Sequence, residues 1–160
     1  MIKILFICHG NICRSPMAEF VLKDMVKKYG IADQFEIASA ATSTEEIWNG
    51  VGNPVYPPAK AELEKHGISC GGKRAVQLQA SDYDYYDYLI GMDRMNIKNI
   101  ERMTGHKRGD KIKMMLEYAG IGAEVADPWY TRDFNATYQD ITIGCKAFLN
   151  YLKEKGEIFI

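Results

Sequence analysis

Cys8 and Arg14 are separated by five residues, and Ser15 follows directly, in the run Cys8-His9-Gly10-Asn11-Ile12-Cys13-Arg14-Ser15-Pro16. A loop this short can curl until successive backbone N–H groups point inward as an anion nest. A helix start at the same place adds about half a positive charge. Arg14 offers a planar, two-donor fork to a tetrahedral oxyanion. Each of these features also favours a thiolate over a thiol, so an anion site and an activated sulfur nucleophile would be one device. The plainer alternative is a buried structural cysteine beside a solvated arginine. An apolar strand before the loop and a Ser-Pro helix start after it argue against that alternative. The loop lacks the G-x4-G-K-[ST] pattern of a nucleotide-binding P-loop.

The elements around this loop have to position it. Ile2 to Ile7 is almost continuously apolar, as a strand buried on both faces of a parallel sheet would be. Ser15 is the expected N-cap of the next helix, with Pro16 at its first position. Ala18, Val21, Leu22, Met25, Val26 and Tyr29 then recur at helical spacing until Gly30. Phe35 to Ala40 reads as a second strand. The stretch Thr44 to Pro58, rich in Gly, Asn and Pro, reads as surface loop. A short helix over Ala59 to His66 stops at Gly67. Tyr88 to Met92 gives a third strand, and Asp93 to Thr104 a helix. A fourth strand is placed near Ile112 to Leu116, a loop over Ala126 to Tyr130, and a long helix over Asp133 to Lys155. Strands alternating with helices imply the doubly wound α/β class, a three-layer sandwich with helices on both faces of a parallel sheet. Ligands of such folds bind beyond the carboxyl ends of the strands. The Cys8 loop, Ser39, Asp93 and the Asp127 loop all fall there.

Composition bounds the alternatives. The chain has 160 residues, 47% hydrophobic and 26% charged, with 20 Lys plus Arg against 21 Asp plus Glu. These proportions exclude wholesale disorder. The charge balance argues against a chain whose main partner is nucleic acid or an anionic membrane surface. No apolar run approaches the roughly 18 residues of a membrane span, and the N-terminus carries no signal-peptide pattern. Cys8, Cys13, Cys70 and Cys145 do not form a disulfide or zinc pattern, and His9, His66 and His106 add no ligand pair. A reducing, cytoplasmic compartment is expected, where a cysteine of interest is reactive rather than structural.

The sequence resembles the low-molecular-weight protein tyrosine phosphatase family. The Cys8 to Pro16 run resembles its phosphate-binding loop, and Asp127-Pro128-Trp129-Tyr130 its general-acid loop. Ser39-Ala40-Ala41-Thr42-Ser43 and Gly91-Met92-Asp93 fit in the same order. The resemblance implies a single phosphotyrosine phosphatase domain over 1–160, a four-stranded parallel sheet, and no metal or other cofactor. Implied substrates are phosphotyrosine-containing proteins or small aryl phosphates, with inorganic phosphate as product and a monomeric enzyme. It implies Cys8 as nucleophile, Arg14 as the clamp on the phosphoryl group and Asp127 as acid and then base. His9, Gly10, Asn11, Ile12, Cys13 and Ser15 would surround the phosphate. Ser15 would also bond the Cys8 sulfur, and Asn11, left-handed in backbone with Ser39 as partner, would hold the loop. Trp129 and Tyr130 would wall the pocket, with Trp48 as the candidate opposite wall. Cys13 would form a reversible disulfide with Cys8.

The chain also departs from the family pattern. The segment Glu45-Glu46-Ile47-Trp48-Asn49-Gly50 is longer than usual. Some members support the loop with a histidine after the second helix, where this chain reads Cys70-Gly71-Gly72-Lys73-Arg74. Asp82-Tyr83-Asp84-Tyr85-Tyr86-Asp87 reads as a solvated turn and strand entry. Three other readings stand beside the main one. Arsenate reductases of this fold need two further relay cysteines, and Cys70 has no near neighbour. Protein arginine phosphatases characteristically carry Thr where this chain has Ile12. A phosphate-binding module without catalysis would not need Cys8, Arg14 and Asp127 together.

Overall fold

The computed structural model describes residues 1–160. In chain order, β1 (Ile2–Cys8) leads to α1 (Arg14–Lys28), β2 (Phe35–Ala41) and a hairpin of β3 (Ile47–Trp48) and β4 (Val51–Gly52). Then come α2 (Pro57–Lys65), α3 (Asp82–Tyr85), β5 (Tyr88–Gly91), α4 (Arg94–Thr104), β6 (Ile112–Met114), α5 (Pro128–Thr131) and α6 (Phe134–Glu154). Four strands form one sheet in the order β2-β1-β5-β6, every pair parallel. This is the doubly wound sandwich that the alternation of strands and helices implied.

β1 is central, and its alternation of side chains explains the layers. Ile4, Phe6 and Cys8 join the core with α1 and α6, built on Met17, Leu22, Ile141 and Phe148. Leu5 and Ile7 point to the other face, where Ile97 and Ile100 of α4 cover them with Leu89, Ile112 and Met114. Both faces of β1 are dry, which is why its sequence shows no polar alternation. No helix is long and apolar enough to cross a membrane.

Several local expectations change: the loop over Ala126 to Tyr130 holds the one-turn helix α5, and the turn read at Asp82 to Asp87 holds α3. Ser15 is not the N-cap of α1: the cap is Cys13, with no side-chain bond, and Ser15 and Pro16 lie inside the first turn. First-turn N–H groups lack intrahelical partners, so Pro16 forfeits nothing there, and the Ser15 hydroxyl is committed elsewhere. The segment read as plain loop holds the β3–β4 hairpin, turned by Asn49 and Gly50 at φ 50° and 75°. Positive φ at both central residues is the type I′ geometry that Asn-Gly favours. The fourth strand ends at Met114 and continues as a 3-10 helix, Met115–Ala119.

Glu62 ties α2 to α6. Its buried carboxylate accepts from His66 Nε2 at 3.1 Å and Asn135 Nδ2 at 3.2 Å, with Lys65 Nζ at 3.6 Å. Burial alone would raise its pKa, but Asn135, His66 and Lys65 outweigh that and hold it below the ordinary value of 4.5. A depressed carboxyl contributes stability above its unfolded value and loses it as pH falls through the folded one. Glu62→Gln should therefore cost about 1–2 kcal/mol in urea melts at pH 7. Below the ordinary carboxyl range, where the wild-type carboxyl also becomes neutral, the difference should close.

Candidate active site

β1 ends at Cys8 and α1 begins at Arg14, so the intervening residues reverse the chain in a single loop. Asn11 makes the turn at φ 59°, in the left-handed region that asparagine tolerates better than most residues. The N–H groups of Thr42, Ser43 and Tyr56 bond the carbonyls of Cys8, His9 and Ile12 at 2.9–3.0 Å, which turns those carbonyls outward. At the centre stands the Cys8 sulfur. It accepts from Asn11 N–H at 3.3 Å and Ser15 N–H at 3.4 Å, with Ser15 Oγ at 3.0 Å.

The proton positions beneath the loop follow from counting donors. Asn11 Oδ1 accepts from Val76 N–H at 3.1 Å, which fixes the amide orientation. Its Nδ2 then donates to both Ser15 Oγ, at 2.8 Å, and Ser39 Oγ, at 2.9 Å. Ser39 spends its one hydroxyl proton on Glu19 Oε1 at 2.6 Å. Ser15 accepts from Asn11, so its own proton is free for the Cys8 sulfur. Glu19, 4% exposed, is held by Lys23 Nζ at 2.6 Å and lies 3.8 Å from Lys73 Nζ. Lys73 also donates to the Ser39 carbonyl at 2.9 Å. Burial pulls the Lys73 pKa down, and Glu19 opposes that pull. A buried carboxylate thus orients a relay that ends on the sulfur.

Arg14 is 3% exposed. Its Nη1 donates to Asp93 Oδ2 at 2.8 Å and to the Val125 carbonyl at 2.9 Å, and its Nη2 lies 3.5 Å from Asp127 Oδ2. Burial alone would ease loss of its proton, but the Cys8 sulfur, Asp93 and Asp127 hold the pKa above its ordinary value. Asp93 also caps α4, accepting from Asn96 N–H at 2.7 Å through Oδ1. Asp127 caps α5, accepting from Trp129 N–H at 3.0 Å.

A pocket of about 140 Å³ opens above the loop, lined by residues 8–14 with Glu45, Glu46, Asp127, Trp129 and Tyr130. His9, Gly10, Asn11, Ile12 and Cys13 therefore border it. Ser15 does not; it is fully buried under the sulfur. Trp129 packs on Tyr56 at 4.9 Å between ring centroids, with the Arg132 guanidinium 5.2 Å from its ring. Tyr130 is largely solvent-exposed. Trp48 is not the opposite wall: it sits at the hairpin turn, 79% exposed and outside the pocket lining. Glu45 and Glu46, just before the hairpin, line the pocket instead. No three His, Cys, Asp or Glu side chains converge to hold a metal ion.

The sequence places Asp93 on the rim of the strand ends without a role, and it does not bring Glu19, Glu45 or Glu46 into the site. Of these three, Glu19 left a clear trace, as a carboxylate among the buried positions of α1, one turn beyond Ser15.

Comparison with known proteins agrees with this geometry. The profile of the family described as low molecular weight phosphotyrosine protein phosphatase matches residues 3–158. YfkJ of Bacillus subtilis, a low molecular weight protein-tyrosine-phosphatase, is 37% identical over 99% of this chain and 100% of its own length. The crystal structure of YfkJ superposes with a TM-score of 0.90, covering 97% of this chain and 96% of that one. SP-PTP, a low molecular weight protein tyrosine phosphatase from Streptococcus pyogenes, is 41% identical with a TM-score of 0.83, covering 98% of both chains. DARP, a Drosophila arginine phosphatase, is 30% identical with a TM-score of 0.85, covering 95% of this chain and 98% of that one. The chain belongs to the low molecular weight phosphotyrosine protein phosphatase family.

Proposed function

We propose that the protein hydrolyses phosphotyrosine monoesters in two displacements through a cysteinyl phosphate. The Cys8 thiolate attacks phosphorus while Arg14 and the loop amides hold the equatorial oxygens. The bond to the phenolic oxygen breaks, and Asp127 gives that oxygen its proton. The resulting carboxylate then takes a proton from water, whose oxygen attacks phosphorus. Inorganic phosphate leaves, and the electron pair of the S–P bond returns to Cys8, where the Ser15 hydroxyl donates to it. Phosphate monoesters demand accelerations approaching ~10²¹, so positioning, charge clamping and leaving-group protonation must act together.

The observation that carries this reading is the Cys8 sulfur bonded by the Asn11 amide of the loop and the Ser15 amide of the first turn of α1, with the Ser15 hydroxyl at 3.0 Å and the buried Arg14 beside Asp127. The test is turnover of p-nitrophenyl phosphate, phosphotyrosine peptides and phosphoarginine peptides in the presence of EDTA. Hydrolysis of the first two, insensitive to EDTA and abolished by Cys8→Ser, is expected. Faster turnover of phosphoarginine would move the protein to the specificity named for the Drosophila relative. Ile12 opposes that outcome, because its side chain offers no hydroxyl to a phosphoguanidine. Ser39→Ala removes the link between Glu19 and Asn11. It should lower kcat/KM on p-nitrophenyl phosphate about tenfold, the worth of one hydrogen bond near 1.4 kcal/mol.

Redox sensitivity belongs to the same proposal. Burial pushes the Cys13 thiol up to about 12, with the Cys8 sulfur and Asp127 adding to the shift. Cys13 therefore stays protonated at neutral pH and leaves Cys8 as the oxidisable sulfur. Peroxide would convert Cys8 to a sulfenic acid, and Cys13 would displace water to form the disulfide. Mass spectrometry after peroxide treatment should find the Cys8–Cys13 bond, and Cys13→Ser should turn reversible inactivation into permanent loss. A cytoplasmic, monomeric enzyme completes the proposal; its four free cysteines suit a reducing compartment.

A further inference from the structure

We infer that Glu45 and Glu46 make the enzyme select phosphotyrosines that have a positively charged residue beside them in the substrate chain. The inference rests on the phosphotyrosine reading of the pocket and adds to it a preference in sequence. The charged side chains lining the pocket are Arg14 against Asp127, Glu45 and Glu46, with His9 cationic only when protonated. The pocket thus receives a dianion with one guanidinium, the rim carboxylates of Glu45 and Glu46, and Asp127, which carries the proton it will donate. Arg14 is already engaged by Asp93 and lies beside Asp127, so it does not neutralise the rim. Neither Glu45 nor Glu46 pairs with a lysine or arginine; Glu45 meets His9 Nε2 at 3.0 Å, and Glu46 meets the neutral Asn53 amide at 2.7 Å.

Glu46 is held in place rather than free to swing away, while the more exposed Glu45 is tied only to His9. The Asn53 N–H donates to the Glu46 carbonyl at 2.7 Å. The Glu46 side chain lies so close to the phosphate loop that a Cβ at Gly10 would stand 3.3 Å from Glu46 Cγ. The hairpin that follows is docked in turn. A Cβ at Gly52 would come within 1.8 Å of the Ala75 carbonyl oxygen, which leaves no room for any other residue. Loop amides and Arg14 meet the phosphate itself. The rim then acts on whatever lies next to the phosphorylated side chain, attracting a cation and repelling a carboxylate.

The test compares three phosphotyrosine peptides, flanked on both sides by Lys, by Ala or by Glu, in the wild type, Glu46→Gln, Glu45→Gln/Glu46→Gln and Glu46→Lys. Solvent-exposed charge pairs are individually weak, so two carboxylates acting in opposite senses on Lys and Glu should give a kcat/KM ratio of about tenfold in favour of Lys at low salt. The ratio should shrink as ionic strength rises, fall toward one in the double Gln variant and reverse in Glu46→Lys. Because each enzyme is scored by its own Lys-to-Glu ratio, a general loss of activity in a variant does not mimic the result. Equal rates on the three peptides in the wild type, or a Lys preference that survives the double substitution, would overturn the inference. Turnover of p-nitrophenyl phosphate with none of the three peptides would instead reject the phosphotyrosine reading, and the inference with it.

Discussion

Arg14→Lys is expected to give a folded protein whose kcat on p-nitrophenyl phosphate has fallen by roughly 10³-fold, the scale of losing a preorganised donor to transition-state charge. The wild-type guanidinium does two things at once. Nη1 is fixed by Asp93 and the Val125 carbonyl, which leaves Nη2 toward the pocket. A lysine ammonium is a single point charge at the end of a flexible stem. It can stay with Asp93 or reach the phosphate, but it cannot present a planar fork to two oxygens. The buried positive charge that Asp93 and Asp127 require is kept, so a thermal melt should change little beside the kinetic loss. A variant retaining more than a tenth of wild-type kcat would show that the fork is not the clamp.

Asp127→Asn should lower kcat by about 10²–10⁴-fold on phenyl phosphate, the usual range for one positioned proton-transfer group. On aryl phosphates whose leaving groups are stable as anions the loss should shrink, because those oxygens need no proton. Asparagine can still accept the Trp129 N–H bond that caps α5, so the loop should keep its shape. The signature is therefore a steeper dependence of rate on leaving-group basicity in the variant than in the wild type. A uniform loss across the series would remove Asp127 from the acid role and leave it as a partner of Arg14.

The strand–loop–helix opening of the chain could be read because its cause is local: an apolar run, a tight loop and helical spacing lie within one stretch. The parallel sheet followed from the alternation of elements, and its order put Ser39, Asp93 and the Asp127 loop near the Cys8 loop. What could not be read depends on distant partners. Ser15 has the chemistry of an N-cap, but the sulfur seven residues earlier and the Asn11 amide claim its hydroxyl. Trp48 has the chemistry of a pocket wall, but a two-residue turn carries it to the solvent. The Asn49-Gly50 pair was a legible hairpin signal. Its flanking strands are only two residues each, too short to show alternation. Glu45 and Glu46 reach the pocket only because that hairpin docks on the Ala75 segment, a contact written nowhere near them in the chain.

Asp93 joins two functions in one carboxylate: Oδ1 holds the first turn of α4, and Oδ2 holds Arg14. Serine and threonine close helix starts about as well as aspartate does, yet neither has a second oxygen with which to anchor a guanidinium. This position is therefore far less interchangeable than helix formation alone would make it. Asp93→Ser or Asp93→Thr would close the helix start yet leave the buried guanidinium short of its partner, so stability and turnover should fall together.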